Sequence, residues 1–236
     1  MFSYKLLVAA VAALPLASCL DSDSSGVAFG FRATGVIVQG VDAEGETTLT
    51  PYIKVLPTTG YTLRSVSISN TKTGLVLQTD TVYGVFETVD NAYALQDTAR
   101  LNGEYVVMAT ATTRETETAT LSINVTGARL LSSIVPSSLT YDGSYLRASA
   151  PAVRNASVYG FVVTPYDRGS EPRRVSSVRV QVSNVSTSAD SVVSYYYPLS
   201  RTALGSDFAE VRAFAAGVGG VNVESGEALT IARDEK

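Results

Sequence analysis

The chain has no histidine, no tryptophan and only one cysteine among its 236 residues. Without histidine it has no Ser-His-Asp or Cys-His catalytic group, no HExxH zinc motif and no imidazole metal ligand. A single cysteine also excludes an intrachain disulfide, a cysteine-based zinc site and a CxxC redox pair. We therefore expect a protein that is not an enzyme and that needs no cofactor or metal. Carboxylate pairs for glycoside hydrolysis and calcium sites stay open, because such groups meet only in the folded chain.

Charge is scarce as well, at 17% of the residues, and the 18 Lys and Arg are scattered among 22 Asp and Glu. Phosphate binding needs a clustered basic surface, so a net charge of -4 disfavours nucleic acid as a partner. The 45% of hydrophobic residues are enough to fill a core. Abundant Val, Ser and Thr, with 13 Tyr, favour strands, and the sequence predicts an all-β protein.

Only one long apolar run occurs, over residues 6–17, and it is too short for the roughly 20 residues that span a bilayer. It follows Lys5 and leads through Ala17 and Ser18 to Cys19, so residues 1–18 are predicted to be a signal peptide. This order resembles the lipobox of bacterial lipoprotein precursors. The resemblance implies that Cys19 is lipidated, with palmitate as an attached acyl group. A secretory leader with an incidental cysteine is the alternative.

Residues 19–26 are acidic, small and rich in serine, and we expect them to form a flexible tether. The segment is similar to the one that follows the lipidated cysteine in surface-exposed lipoproteins of Bacteroidota. The resemblance implies an outer-membrane location, with the protein held to the membrane by lipid and facing the surface or the periplasm. A plain solvated linker is the other interpretation.

From residue 28 the chain reads as short alternating runs separated by Gly, Asn, Asp and Pro. The clearest strand is predicted over residues 118–126, paired in a hairpin with residues 103–111. A connector near residues 128–138 divides the chain into predicted modules at 27–127 and 128–236. Other predicted strands include 139–148 and 208–215, the latter with a short helix as its alternative because Phe208, Val211 and Ala215 also fit a 3.6-residue period.

About seven strands in the first module predict an immunoglobulin-like β-sandwich. The segment from Leu101 to Tyr105 resembles the tyrosine-corner region of bacterial immunoglobulin-like, PKD and fibronectin-like modules. The resemblance implies that Tyr105 is a structural corner residue whose hydroxyl bonds to the nearby main chain. The second module has similar strand runs and short repeats of the first, such as residues 66–70 and 180–184, and the sequence therefore predicts two tandem immunoglobulin-like sandwiches.

The strongest surface signal is the run of three tyrosines before Pro198. On a strand, Tyr195 and Tyr197 share one face and Tyr196 takes the other, and Pro198 favours a sheet edge or the end of a strand. We expect Tyr195 and Tyr197 to contribute to ligand binding if they are exposed. Ordinary core packing is the alternative.

Three Asp-Ser/Thr triplets resemble the short O-glycosylation motif of exported Bacteroidota proteins, and the resemblance implies modification of Thr81, Thr98 and Ser191. Together these features predict a non-enzymatic cell-envelope lipoprotein that acts as a surface binding, adhesion or structural module, with protein or glycan as its partner. The alternatives are a glycan-binding accessory lipoprotein of a polysaccharide-utilisation system and a fimbrial subunit.

Overall fold

The computed structural model describes residues 28–82, 84–89, 92–126, 129–167, 173–174, 177–200, 208–217 and 220–232. The predicted leader, Cys19 and the tether lie outside these residues. Within them the all-β prediction is confirmed, since the chain forms strands and one short 3-10 helix, Leu95–Leu101. None of the described helical structure has the length and apolar character required to cross a membrane.

The first half contributes nine described strands, which begin with two long neighbours and end in a hairpin. They are β1 (Phe31–Val41), β2 (Thr47–Pro57), β3 (Leu63–Asn70), β4 (Val76–Leu77), β5 (Thr79–Val82), β6 (Val85–Thr88), β7 (Tyr93–Ala94), β8 (Gly103–Ala111) and β9 (Thr116–Ile123). Strands β8 and β9 pair antiparallel, so the predicted hairpin is confirmed. Its apolar side faces inward because Ile123 and Val125 are buried while Ser122 and Asn124 are exposed.

The second half contributes ten described strands. They are β10 (Ser138–Tyr141), β11 (Tyr145–Pro151), β12 (Ala156–Asp167), β13 (Arg173–Arg174), β14 (Val178–Gln181), β15 (Val185–Thr187), β16 (Val192–Pro198), β17 (Phe208–Gly217), β18 (Val221–Glu224) and β19 (Leu229–Ala232). A single strand over residues 139–148 is wrong, because a turn at Asp142 and Gly143 divides it into β10 and β11. Gly143 adopts a φ of 95°, which a side chain would disfavour.

Strand β17 also decides between the two interpretations of its sequence. Its residues Ala209, Val211, Ala213 and Ala215 are all fully buried, which is the period of two that a strand gives. The short helix is therefore wrong. The glycine-rich segment that follows leads into β18, which pairs antiparallel with β17.

These strands form three sheets. The large sheet has the order β13-β12-β17-β18-β1-β2-β6-β5, with β14, β19 and β7 paired to its members. The two smaller sheets have four strands each, in the orders β4-β3-β8-β9 and β10-β11-β16-β15. We call the second of these the β11–β16 sheet. All three sheets bury one face in a shared apolar core, to which Ile53, Tyr105, Leu146 and Phe161 contribute fully buried side chains.

The opposite face of the large sheet carries a smaller apolar cluster of Val162, Phe214 and Ala216. Gly160 makes this packing feasible, because a Cβ there would lie 2.1 Å from the Val180 carbonyl oxygen and 2.6 Å from the Phe214 ring. Any side chain would push β12 away from β14 or displace that ring.

The large sheet runs across the predicted boundary at residue 127. Strand β1 of the first half pairs parallel with β18 of the second, with Ile37 opposite Val221. The side-chain amide of Gln39 adds two hydrogen bonds to the Leu131 main chain, donating to its carbonyl at 2.9 Å and accepting from its N–H at 3.0 Å. The boundary between 27–127 and 128–236 stays a prediction, but the two segments do not pack independently of one another.

Side chains reinforce the same junction on the other face of the large sheet. Arg179 of β14 forms an ion pair with Glu224 of β18, and its guanidinium lies 5.1 Å from the ring centre of Tyr52 on β2. Lys54 of β2 donates to the Ser177 carbonyl at 2.9 Å. Side chains of β2 therefore contact β14 and the residue before it, although the two strands are not neighbours in the sheet.

We predict that Gln39→Ala lowers the free energy of unfolding by about 1 to 3 kcal/mol, because it leaves the buried Leu131 main chain without two hydrogen bonds. The matched control is Gln181→Ala, which removes an exposed amide and should change stability by less than about 0.5 kcal/mol. Denaturant unfolding of the purified protein measures both. Equal stability of the two variants would contradict the role of Gln39 at the junction.

Candidate functional site

Strands β11 and β16 place an aromatic and cationic cluster on the outer face of the β11–β16 sheet. The two strands pair antiparallel with Arg147 directly opposite Tyr196. Because side chains alternate along a strand, Tyr145 falls on the same face as Arg147. Tyr145 is 37% exposed and Tyr196 is 40% exposed, so both rings reach solvent. We call these three residues the Tyr–Arg patch.

The alternation that exposes Tyr196 turns its neighbours inward. Tyr195 is only 3% exposed, and its ring centre lies 5.5 Å from that of Tyr159 and 5.2 Å from that of Phe161, both on β12. Tyr197 lies on the same face, half-buried against the core. Tyr195 therefore does not meet the condition of exposure on which its predicted ligand-binding role depends, since its ring is part of the core.

The place of Pro198 in β16 decides between its two interpretations. Pro198 is the last residue of β16, and β16 lies between β11 and β15 in its sheet, so the proline marks a strand end and not a sheet edge. A strand with neighbours on both sides still has one free face, and in β16 that face carries Tyr196. Burial raises the pKa of the Tyr195 hydroxyl further above its ordinary value, with Tyr159 adding to the shift.

The three side chains of the patch contact one another. The rings of Tyr145 and Tyr196 meet edge to face, with centres 5.7 Å apart and an interplanar angle of 77°. The Arg147 guanidinium carbon lies 5.1 Å from the centre of the Tyr145 ring and 5.8 Å from that of Tyr196. These distances fall within the range of a cation–π interaction, so the two rings restrict the position of the guanidinium.

Asp142 fixes Arg147 from the adjoining turn. One carboxylate oxygen, Oδ1, accepts from the main-chain N–H groups of Ser144 at 3.0 Å and Tyr145 at 2.8 Å. The other, Oδ2, accepts from Arg147 Nε at 3.1 Å. The two main-chain bonds, helped by Arg147, hold the pKa of the Asp142 carboxyl below its ordinary value. The carboxylate therefore stays charged at neutral pH and occupies the Nε side of the guanidinium.

A shallow depression of about 500 Å³ lies beside the patch, between it and β15. Its lining includes Arg147, Tyr196, Ser149, Ser186, Ser194 and Asn184. The Ser149 and Ser194 hydroxyls are 2.9 Å apart and hydrogen-bonded to each other. Arg147 supplies the charge of this lining, and hydroxyl and amide groups supply its remaining polar side chains. The arrangement is suited to hold a polar ligand by hydrogen bonds and one cationic contact.

The sequence contains a signal for the patch that the predicted strand over 139–148 obscures. Asp142-Gly143 is a dipeptide typical of hairpin turns. With the turn placed there, the alternation that follows puts Tyr145 and Arg147 on one face and Leu146 on the other, and Leu146 is fully buried. The facing residue Tyr196 depends on strand pairing, which local sequence does not reveal.

Tyr105 lies away from the patch and has a structural role. Its ring is fully buried, and its hydroxyl donates to the carbonyl oxygen of Leu101 at 3.0 Å, which is the bond that the resemblance to a tyrosine corner implies. Burial raises the pKa of this hydroxyl. Nearby, Asn70 is buried and accepts from the main-chain N–H groups of Lys72 and Thr73, which holds the adjoining turn.

The three residues that are candidates for O-glycosylation, one from each triplet, lie in different parts of the fold. Thr81 is exposed on β5, at one end of the large sheet. Ser191 is exposed in the turn before β16 and has a φ of 58°. Thr98 belongs to the 3-10 helix. Modification of these residues stays a prediction.

In the part of the chain that the structure describes, no three Asp, Glu, Cys or His side chains are grouped as metal ligands. No protein-family model matches the chain, and no curated protein matches it. The Tyr–Arg patch and its depression are the features from which a function follows.

The two buried tyrosines provide a matched pair of variants. We predict that Tyr105→Phe lowers the free energy of unfolding by about 1 kcal/mol, because it removes a satisfied hydrogen bond. Tyr195→Phe should leave stability unchanged or raise it, since the described residues offer its buried hydroxyl no hydrogen-bond partner. Denaturant unfolding measures both. A loss of similar size in the two variants would show that the hydroxyl of Tyr105 has no special role.

Proposed function

We propose that the protein is a lipid-anchored, non-enzymatic binding module of the cell envelope and that its ligand is a glycan. The observation that carries the proposal is the exposed Tyr–Arg patch beside a depression lined by hydroxyl and amide groups. A solvent-exposed pair of tyrosines in contact with an arginine has little value for stability, because surface contacts of this kind contribute at most about 1 kcal/mol. A binding role gives it a reason to be exposed.

The chemistry of the depression favours a sugar over an apolar ligand. Ser149, Ser186 and Ser194 both donate and accept hydrogen bonds, and so do the hydroxyls of a sugar. Tyr145 and Tyr196 add apolar ring surface with a polar end, which suits the mixed character of a sugar ring. The depression is shallow and about 500 Å³ in volume, a size that suits a short stretch of an oligosaccharide.

The anchor in this proposal is Cys19. The arrangement of Lys5, the apolar run over residues 6–17 and the small residues before the cysteine supports it. In this proposal the tether over residues 19–26 joins the lipid to the sheets, so that the Tyr–Arg patch meets its ligand away from the membrane surface.

We predict that Cys19→Ala abolishes the incorporation of labelled palmitate in a bacterial host that processes lipoproteins. The thiol of Cys19 is the only one in the chain, so no other sulfur is available for acylation. Metabolic labelling followed by immunoprecipitation measures the effect, and Ser18→Ala serves as the control that keeps a small residue before the cysteine. Label retained in the Cys19→Ala protein would rule out this anchor.

A glycan array tests the binding function with the full chain solubilised in detergent. We predict that Tyr196→Ser weakens binding by at least about tenfold, the usual effect of losing a central aromatic contact. The matched control is Met108→Ser, which removes a side chain that is 47% exposed on β8 in the other small sheet. Tyr196 is on the solvent face, so both variants should keep nearly the same unfolding transition.

Two results would contradict the proposal. The first is an array with no bound glycan. The second is glycan binding that Tyr196→Ser and Tyr145→Ser leave at the level of Met108→Ser, since the ligand would then contact another surface.

A further inference from the structure

We propose that the Tyr–Arg patch selects sugars that carry a carboxylate, such as uronic acid residues, over neutral sugars. This inference rests on the proposed glycan-binding function and adds the chemical class of the ligand. It follows from the way in which Arg147 is held and from the charges around the depression.

The first observation is that Arg147 presents one defined edge. Its Nε–H is used by Asp142 Oδ2, and the rings of Tyr145 and Tyr196 limit its movement. Among the described residues, the two terminal nitrogens of Arg147 donate to no protein acceptor, and the side chain is 53% exposed. Because Nε is already engaged, the edge formed by the two terminal nitrogens is the one left to bind a ligand carboxylate through two parallel hydrogen bonds.

The second observation is the charge of the depression. Arg147 is a lining residue, whereas its partner Asp142 is not. The other polar residues of the lining are uncharged, and they are Ser149, Ser183, Asn184, Ser186, Ser194, Tyr195 and Tyr196. A ligand in the depression therefore meets one positive charge and a set of hydroxyl and amide groups. A sugar unit with several hydroxyls and one carboxylate is complementary to this combination.

The third observation concerns Asp142, which is already fully engaged. Its carboxylate accepts from two main-chain N–H groups and from Arg147, and it does not line the depression. Asp142 acts as a positioning residue, because it binds Arg147 Nε and leaves the two terminal nitrogens for an acceptor on the ligand. In this arrangement Arg147 contacts the ligand carboxylate directly, whereas Asp142 acts only through Arg147.

The test compares two ligands that share one sugar backbone and differ in whether their carboxyl groups are ionised or methyl-esterified. The probes are trigalacturonate and its fully methyl-esterified form, titrated against the full chain in detergent micelles by calorimetry. We expect the acid to bind at least about tenfold more tightly than the ester, as a charge-assisted pair of hydrogen bonds would give. We expect Arg147→Gln to bring the ratio of the two affinities close to one while the ester still binds. The matched control is Arg64→Gln, an exposed arginine on β3, which should keep the ratio.

Asp142→Asn tests the positioning role, since it removes the charged partner of Nε. We expect the affinity for the acid to fall by a larger factor than the affinity for the ester, so that the ratio of the two becomes smaller. A purely structural role would lower both affinities together, and that result would overturn the assignment of Asp142.

Other outcomes overturn the inference while leaving the proposed function recognisable. Equal affinity for acid and ester, with both lost in Tyr196→Ser, would show a glycan-binding patch without selection for carboxylate. A preference for the acid that survives in Arg147→Gln would place the selecting cation elsewhere. If citrate bound as tightly as trigalacturonate, the patch would recognise negative charge alone and not a sugar. If a sulfated trisaccharide bound as tightly as trigalacturonate, the patch would have no preference for carboxylate over sulfate. The absence of binding to every sugar tested would overturn both proposals.

Discussion

Each sheet of the protein has one face that must leave water, and the three sheets meet this requirement with one shared core. Period-two alternation then decides the position of every side chain, because a shift of one residue moves a whole strand's set to the other face. In β16 this constraint commits Tyr195 to the core against Tyr159 and Phe161 and leaves Tyr196 in solvent. The Tyr–Arg patch therefore depends on a packing contact made on the opposite side of its own sheet.

Local alternation predicted much of the fold. The hairpin of β8 and β9 was predictable because its apolar and polar residues alternate strictly on both sides of a polar turn. The sequence placed Tyr195 and Tyr197 on one face and Tyr196 on the other, as the structure does. It could not say which of these faces is buried, since that depends on β12, which is distant in sequence and packs from another sheet. The sequence of β17 likewise allows both a strand and a short helix, because its alanines are compatible with a period of 2 and with a period of 3.6.

Features that rest on distant pairing escaped prediction. Strand β18 has only four residues, and its parallel partner in β1 lies near the other end of the chain. Asn222 donates to the Ile37 carbonyl at 3.5 Å across a sequence separation of 185 residues. No local pattern records such a contact. The Tyr–Arg patch escaped prediction for a local reason. The Asp142-Gly143 turn lies inside a run of strand-forming residues that reads as one continuous strand.

The parallel pairing of β1 and β18 has a consequence for the order in which the molecule is built. Synthesis proceeds from the amino terminus, so β1 and β2 are made long before residues 221–223, which pair with the other edge of β1. During that interval β1 carries an open row of main-chain donors and acceptors, which is a template for pairing with another chain. Contacts between such distant residues also form slowly. Until residues 221–223 pair with it, this edge of β1 is accordingly open to association with another chain.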